Sequence, residues 1–401
     1  MTTTATSTAG DAARVVSART SVAWVFGLNG LAVASWFARV PAARDALGLS
    51  AGRLGLLLLA LSAGAVLAMP MSGAIVRSAG SARSVTFSTV LLAVSLGFAG
   101  VAISAGLGPI AVGAGLFGVG FGSGLCDVAM NVDAAKVERR LGRTIMPRFH
   151  AAWSIGTVAG ALLGAVAART GLPVAAHLLL VAAVVGCGTA VATRTFLAPD
   201  RDPEQSAEQR VSVLRAWLEP RTLLIGLFVL IMAFTEGTAN DWLAVATIDG
   251  YGVSAALGAA MFGVFVAAMT TGRTFGTIAL DRFGRVPVLL ASAVLAAAGA
   301  LTTVLSGGLA LAAVGVVLWG LGASLGFPMG MSAAADEEAL APARVSVVAV
   351  IGYTAFLAGP PVVGLLGDHV GTLRALLAVP ILLVPALALA PKLAKPNELT
   401  S

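Results

Sequence analysis

Apolar residues in this chain do not alternate with polar ones. They run together for about twenty positions at a time, and short polar clusters separate the runs. Twelve such runs lie near 20–40, 52–76, 84–104, 109–132, 148–168, 173–193, 222–244, 254–277, 286–306, 309–334, 344–366 and 373–391. A helix needs roughly 20 apolar residues to cross a hydrocarbon core of about 30 Å, so each run predicts one transmembrane helix. The connectors are short, which predicts antiparallel neighbours and leaves no room for a separate soluble domain. The longest polar stretch, Arg194 to Arg221, divides the runs six and six. Within it Val211, Leu214, Trp217 and Leu218 fall at helical spacing and predict a short amphipathic helix on the membrane surface. The expected organisation is a disordered tail over 1–18, a six-helix bundle over 19–193, a linker over 194–221, a second six-helix bundle over 222–391 and a tail over 392–401.

Composition changes the choice of solvent. Of 401 residues 58% are hydrophobic and 11% charged, with a mean hydropathy of +0.94. Soluble domains carry about 25% charged residues, so the surroundings of this chain are lipid. A net charge of +6 would in a soluble protein raise the question of nucleic acid; here its placement matters more. With both termini cytoplasmic, nineteen of the 25 Lys and Arg residues fall in inner loops. Only Arg39, Arg44, Arg53, Arg169 and Arg374 fall outside, and Arg273 lies within a run. That bias follows the positive-inside rule and predicts a multi-pass inner-membrane protein with both ends in the cytoplasm. Arg14 and Arg19 before the first run mimic a signal peptide, but eleven further runs favour an uncleaved first helix. Cys126 and Cys187 both lie inside runs and read as small apolar residues.

The two halves resemble each other at an offset of 200–206. Trp36 corresponds to Trp242, Gly118 and Gly120 to Gly320 and Gly322, and Ser154, Gly164 and Gly171 to Thr354, Gly364 and Gly371. These matches fall in the same order, which indicates an internal duplication. Repeated membrane halves place a substrate site near the midplane. Gly156, Gly160 and Gly164 lie four apart on one helix face, where small residues let backbones approach closely.

Polar groups inside the runs are the candidates for chemistry, because a charge at the bilayer centre costs about 2.5–3.5 kcal/mol on insertion scales. Glu236 in AFTEGTANDW (233–242) is the sharpest: a carboxylate that gains and loses a proton there can couple proton flow to solute movement. The alternative is a fixed ion pair with another helix. Asn240 is one turn on and shares its face. Asp127 in GLCDVAMNVDAA (124–135), with Asn131 one turn on, can bind solute, carry a proton or hold a structural network. Asn29 falls near the midplane of the first run. Arg273 either pairs with a carboxylate, binds an anionic group or snorkels. His150 has a titration range suited to proton transfer, although a histidine at a helix start is more commonly a packing residue. Tyr353 and the Gly359-Pro360-Pro361 sequence mark a possible bend in the eleventh run. DRFGR (281–285) is the most specific short motif: Asp281 and the Gly284 turn can hold helix ends, while Arg282 and Arg285 can bond to carbonyls or carboxylates of the neighbouring bundle.

These features resemble the major facilitator superfamily over essentially residues 19–391. The loop motif GxxxD(R/K)xGR(R/K) matches at Asp281, Arg282, Gly284 and Arg285, with Thr277 where the first glycine is expected. In the first half only Gly73, Gly80 and nearby Arg83 survive, and Arg77 occupies the acidic position. DVAMNVDAAKVERRLGR (127–143), PRFHAAWSIG (147–156) and EGTANDW (236–242) resemble a bacterial subgroup of inner-membrane transporters without an assigned substrate, distantly like fucose permeases. The resemblance implies an all-α membrane protein with twelve transmembrane helices in two pseudo-symmetric six-helix bundles. It also implies a cavity lined by helices 1, 4, 7 and 10, aided by 2, 5, 8 and 11.

The reading is a secondary active transporter, not an enzyme, that moves a small-molecule solute by alternating access with proton coupling. It acts as a monomer in the lipid bilayer with no cofactor, no metal and no nucleic acid partner. No GxxxxGK[ST] loop points to ATP. A membrane-embedded enzyme would need a constellation, and His150, His177 and His369 lie on separate segments. A non-transporting sensor is the third class, and no large soluble domain supports it.

Overall fold

The computed structural model describes residues 3–141, 145–197, 215–337 and 340–394. Every long apolar run forms a helix: α1 Thr3–Phe37, α2 Val40–Leu47, α3 Ala51–Ala79, α4 Ser81–Ser104, α5 Pro109–Leu141, α6 Met146–Arg169, α7 Val174–Ala192, α8 Pro220–Tyr251, α9 Ala255–Phe283, α10 Arg285–Leu305, α11 Leu309–Ala323, α12 Gly326–Ala334, α13 Ala341–Val370, α14 Thr372–Ala375 and α15 Ala378–Leu389. Twelve spans among them are long and apolar enough to cross a membrane. Helices are the answer because hydrocarbon offers no partner for a free N–H or C=O, and a helix closes its own hydrogen bonds.

The first eighteen residues differ from expectation. From Thr3 onward they belong to α1. The segment contains five alanines, one glycine and no proline, so nothing in it stops a helix already begun in the membrane. Of the surface helix expected around Val211–Leu218, Val211 and Leu214 lie outside the described residues. Trp217 and Leu218 are exposed in a turn just before α8.

The chain divides into two compact units, Met1–Leu49 with Leu57–Arg201, and Ser50–Leu56 with Asp202–Ser401. In the first, α4 packs on α5 and α1 on α6; in the second, α10 packs on α11 and α8 on α13. The duplication therefore extends to partner choice. A Cβ on Gly122 of α5 would strike the backbone at Ser88 and Leu92 of α4, and one on Gly322 of α11 would strike it at Ser292 and Ala296 of α10. Lipid supplies little hydrophobic drive between helices, so this backbone proximity stands in for it. The turns repeat as well. Gly80 between α3 and α4 has φ +80°, and Gly284 between α9 and α10 has φ +79°, a region open to glycine at little cost.

The tenth span is broken. Helix α11 stops at Ala323 and α12 starts at Gly326. Pro328 accounts for this: its ring excludes the carbonyl four residues back, which is that of Ser324. Pro360 and Pro361, by contrast, lie inside α13, which continues through them. The bend marked by sequence in the eleventh span is not a break.

At the end of the second unit that carries Gly284, charges are tied into a latch. Asp336, just after α12, takes two hydrogen bonds from Arg285 (Nη2 to Oδ1 2.9 Å, Nη1 to Oδ2 3.0 Å) and one from Arg221 (2.9 Å). The two arginines also donate to the carbonyls of Leu393 and Ala394, each at 3.0 Å. Beside it Arg344 donates to Glu219 at 2.6 Å and lies 3.0 Å from Glu337. The starts of α8, α10 and α13 are thereby fixed to one another. Arg285 thus bonds within its own unit, where sequence had pointed it at the neighbouring bundle.

The first unit answers with different chemistry. Buried Lys136 donates to Ser81 (2.9 Å), which donates to Asp133 (2.8 Å). Asp133 and Asp336 sit 203 residues apart, in step with the other repeats. Glu138 accepts from the backbone N–H of Ile145 (2.6 Å) and Met146 (2.7 Å) and so anchors the start of α6.

Two tests follow from this packing. Gly156 of α6 approaches the backbone of Gly27 so closely that a Cβ would strike it, whereas Gly307 has open space around it. Gly156→Val should destabilise by about 1–3 kcal/mol and lower the melting temperature in detergent, while Gly307→Ala should leave it unchanged. The second test concerns Asp336. Burial works to raise its pKa, but the hydrogen bonds and charges of Arg285 and Arg221 outweigh that and hold it below the ordinary carboxylate value. A depressed carboxylate pKa contributes stability that is present above the unfolded value of about 3.9 and is lost as pH falls through the folded value. Melting temperature should therefore fall in acid below about pH 4. Asp336→Asn should cost about 3 kcal/mol at neutral pH and should flatten that acid limb.

Candidate functional site

Each unit carries its own group of polar residues inside the spans. In the first, Ser123, Asp127 and Asn131 recur every four residues along α5 and share a face. Ser123 Oγ donates to Asn29 Oδ1 of α1 at 3.2 Å. Asn131 Nδ2 donates to the Asp127 carbonyl at 2.8 Å and to its carboxylate at 3.3 Å. Asp127 therefore has an amide beside it and, among the described residues, no cation. Asn29 is buried. His150 is exposed and stands edge-on to Phe26, ring centroids 5.4 Å apart. It is not part of the α5 row.

In the second unit, Arg273 of α9 and Glu236 of α8 meet at 2.8 Å. Arg273 Nε also donates to the Ser324 carbonyl at 3.2 Å. That carbonyl is the one Pro328 denies a helical partner, so the arginine both neutralises a carboxylate and fills the gap left by the broken helix. Trp319 Nε1 donates to the Thr235 carbonyl at 3.2 Å and ties α11 to α8 one residue from the ion pair.

Beyond the pair lies an aromatic shelf. Tyr353 of α13 has ring centroids 5.9 Å from Phe327 of α12 and 6.1 Å from Phe356. All three rings are half-buried. Gly237, next to Glu236, makes room for this shelf: a Cβ there would lie 3.0 Å from the Phe356 ring. One turn further along α8 comes Asp241, half-buried, with Asn240 beside it. Neither makes a hydrogen bond or ion pair among the described residues. The unit thus offers rings that can cover an apolar face, a compensated carboxylate and an uncompensated one.

Sequence reasoning allowed Glu236 an ion pair with another helix and Arg273 a carboxylate partner, but did not name either as the partner of the other, and left Tyr353 apart from both. The structure joins Glu236 to Arg273 and gives Asn240 no hydrogen bond to that pair. It adds Ser123, Phe327, Phe356 and Asp241. Asp241 lies in the quoted string AFTEGTANDW (233–242), but nothing in the string sets it apart from Glu236. In DRFGR, Asp281 and Arg282 are exposed, and the Arg282 guanidinium sits 5.3 Å over the Phe283 ring. Gly284 makes the turn, and Arg285 enters the latch. Among the described residues no three His, Cys, Asp or Glu side chains gather as metal ligands.

Comparison with known proteins matches this architecture. The Major Facilitator Superfamily family model covers residues 22–338. An uncharacterized transporter y4wD of Sinorhizobium fredii is 32% identical over 356 residues, 88% of this chain and 92% of its own. Among solved structures, a mutant of the nucleoside transporter NupG superposes with TM-score 0.77 at 14% identity, covering 94% of this chain and 99% of its own. The E. coli fucose:proton symporter FucP does so with TM-score 0.66 at 18% identity, covering 94% and 98%. With twelve membrane-length helices and this family match, the chain belongs to the Major Facilitator Superfamily and is a multi-pass membrane transporter of solutes.

Proposed function

We propose that this protein is a secondary active transporter that couples a small polar solute to protons and works by alternating access. It acts as a monomer in the inner membrane with both termini cytoplasmic. The orientation is supported by the 19-to-5 distribution of basic loop residues. Ring-bearing solutes such as sugars or nucleosides are the substrate class, because Tyr353, Phe327 and Phe356 offer stacking faces next to the polar groups of α8. FucP is a fucose:proton symporter and NupG a nucleoside transporter, which is consistent with that class.

The observation that carries proton coupling is the contrast between Glu236 and Asp241. Glu236 is neutralised by Arg273 at 2.8 Å. Asp241, five residues on, has no such partner among the described residues, and a proton is the smallest counter-charge that can reach it. Asp127 stands in a similar position in the first unit. The gradient is sufficient: 100 mV supplies about 2.3 kcal/mol per charge, enough for roughly 40-fold accumulation at 1.4 kcal/mol per decade.

The test uses proteoliposomes loaded with a pH-sensitive dye and exposed to a panel of sugars and nucleosides. At least one solute should drive proton movement. Asp241→Asn should abolish that movement while retaining solute counterflow. Glu236→Gln should weaken both and lower the melting temperature, since stripping a partner from a buried pair costs about 3–5 kcal/mol. Solute uptake without any proton movement in the wild type would refute the coupling.

A further inference from the structure

At the basic end of the first unit, a cavity of about 410 Å³ opens between the start of α4 and the end of α7, lined by Ala82, Arg83, Thr86, Phe87, Thr193 and Arg194. Its floor is fixed. Thr86 Oγ1 donates to Thr193 Oγ1 at 2.9 Å, and the two hydroxyls are also bonded to the carbonyls of Ala82 (2.9 Å) and Thr189 (3.0 Å) in their own helices. The two arginines at its mouth are exposed and form no ion pair among the described residues.

Their lack of partners has a cause in the sequence. No Asp or Glu occurs between Asp45 and Asp127, nor between Glu138 and Asp200. Neither helix lining the cavity therefore brings a counter-charge of its own. The latch arginines of the second unit differ in this respect, since Arg221 and Arg285 share Asp336 and Arg344 holds Glu219 and Glu337. Among the described residues the positive charge at Arg83 and Arg194 is unmatched, which suits the cavity to an anion.

The surface leading away from the cavity identifies the carrier of that anion. Phe87, Val90, Val94 and Phe98 form one exposed stripe on α4, and Leu180, Val184 and Val191 form another on α7. From Phe87 to Phe98 the stripe rises ~16 Å at 1.5 Å per residue, about half of a 30 Å hydrocarbon core. A soluble anion would fill the cavity alone and leave both stripes to the bulk bilayer. A lipid would fill cavity and stripes together, since basic pockets between membrane helices hold anionic head groups.

We propose that the cavity between α4 and α7 is a specific binding site for an anionic diacyl phospholipid. Arg83 and Arg194 hold its phosphate, and the two apolar stripes receive its acyl chains. Placing this lipid in the inner leaflet rests on the orientation proposed above. Binding itself does not, so a test in micelles separates the two.

The experiment measures melting temperature of purified protein in detergent against added phosphatidylglycerol, phosphatidylcholine or inorganic phosphate, and counts co-purified lipid by native mass spectrometry. A ligand bound only by the folded state raises melting temperature in a saturable way. Phosphatidylglycerol should do so for the wild type; the other two should not. In the double variant Arg83→Gln/Arg194→Gln, the phosphatidylglycerol midpoint should rise at least tenfold and one bound lipid should be lost, with the lipid-free melting temperature unchanged. Arg169→Gln/Arg374→Gln removes the same charge elsewhere and should behave as wild type. An equal response in both double variants, or to phosphatidylcholine, would overturn the proposal. So would an equal response to inorganic phosphate, which would make the site one for a free anion.

Discussion

In hydrocarbon a backbone carbonyl has no water to turn to, and this constraint governs the centre of the second unit. Pro328 takes the Ser324 carbonyl out of the helical ladder. Leaving a polar group unpaired there costs several kcal/mol, and the guanidinium of Arg273 fills the vacancy at 3.2 Å. An arginine at that depth then needs a negative partner, which Glu236 supplies at 2.8 Å. One proline thus accounts for a cation, and the cation for an anion. Three helices are joined by this sequence of needs, and the aromatic shelf of Phe327, Tyr353 and Phe356 is built next to it.

Duplication explains which features the units share and where they differ. Backbone geometry is shared, because it admits few solutions: positive-φ glycines at 80 and 284, and glycines under contact at 122 and 322. The latch around Asp133 and Asp336 is shared in position but not in chemistry. In the second unit arginines surround the carboxylate. In the first, Ser81 and Lys136 do so. The arginines left on the first unit's surface have no acid on their own helices to meet. The second unit pairs its latch arginines internally, whereas Arg83 and Arg194 of the first are exposed and form no ion pair among the described residues.

The sequence revealed what depends on run length and spacing. The number of spans and the repeat of glycines are local or periodic signals, and both recur in the fold, although the glycine register shifts by two: Gly322 answers to Gly122 and Gly320 to Gly120, not Gly322 to Gly120 and Gly320 to Gly118. The break at Ser324 was not read from the sequence: the proline pair at 360 and 361 marked the expected bend, yet α13 runs through it and the tenth span is the one interrupted, at Pro328. Partner identity was hidden altogether. Glu236 and Arg273 are 37 residues apart, and nothing in either helix specifies the other. Asp241 was hidden for the opposite reason, because the absence of a partner is a property of every helix around it. The tail over 1–18 read as disordered from its composition, yet α1 takes in residues from Thr3 onward.

The same electrostatics separates the roles of the carboxylates. Protonating Glu236 would strand Arg273 in hydrocarbon and weaken its hold on the Ser324 carbonyl, so a cycle that used Glu236 would disturb the break on every turnover. Protonating Asp241 strands nothing. From the helices packed against α8, the nearby titratable groups inside the spans are Arg273, already paired, and the Tyr353 phenol; α11, α12 and α15 carry none. Asp281, Arg282, Arg344, Asp368, His369 and Arg374 lie toward the span ends, as do Arg221, Asp249 and Tyr251 on α8 itself. Asp127 shares the freedom of Asp241, with the difference that the Asn131 amide can serve either protonation state. On these grounds the proposed coupling gives Glu236 a fixed role beside Arg273 and assigns proton movement to the carboxylates that have no cation among the described residues.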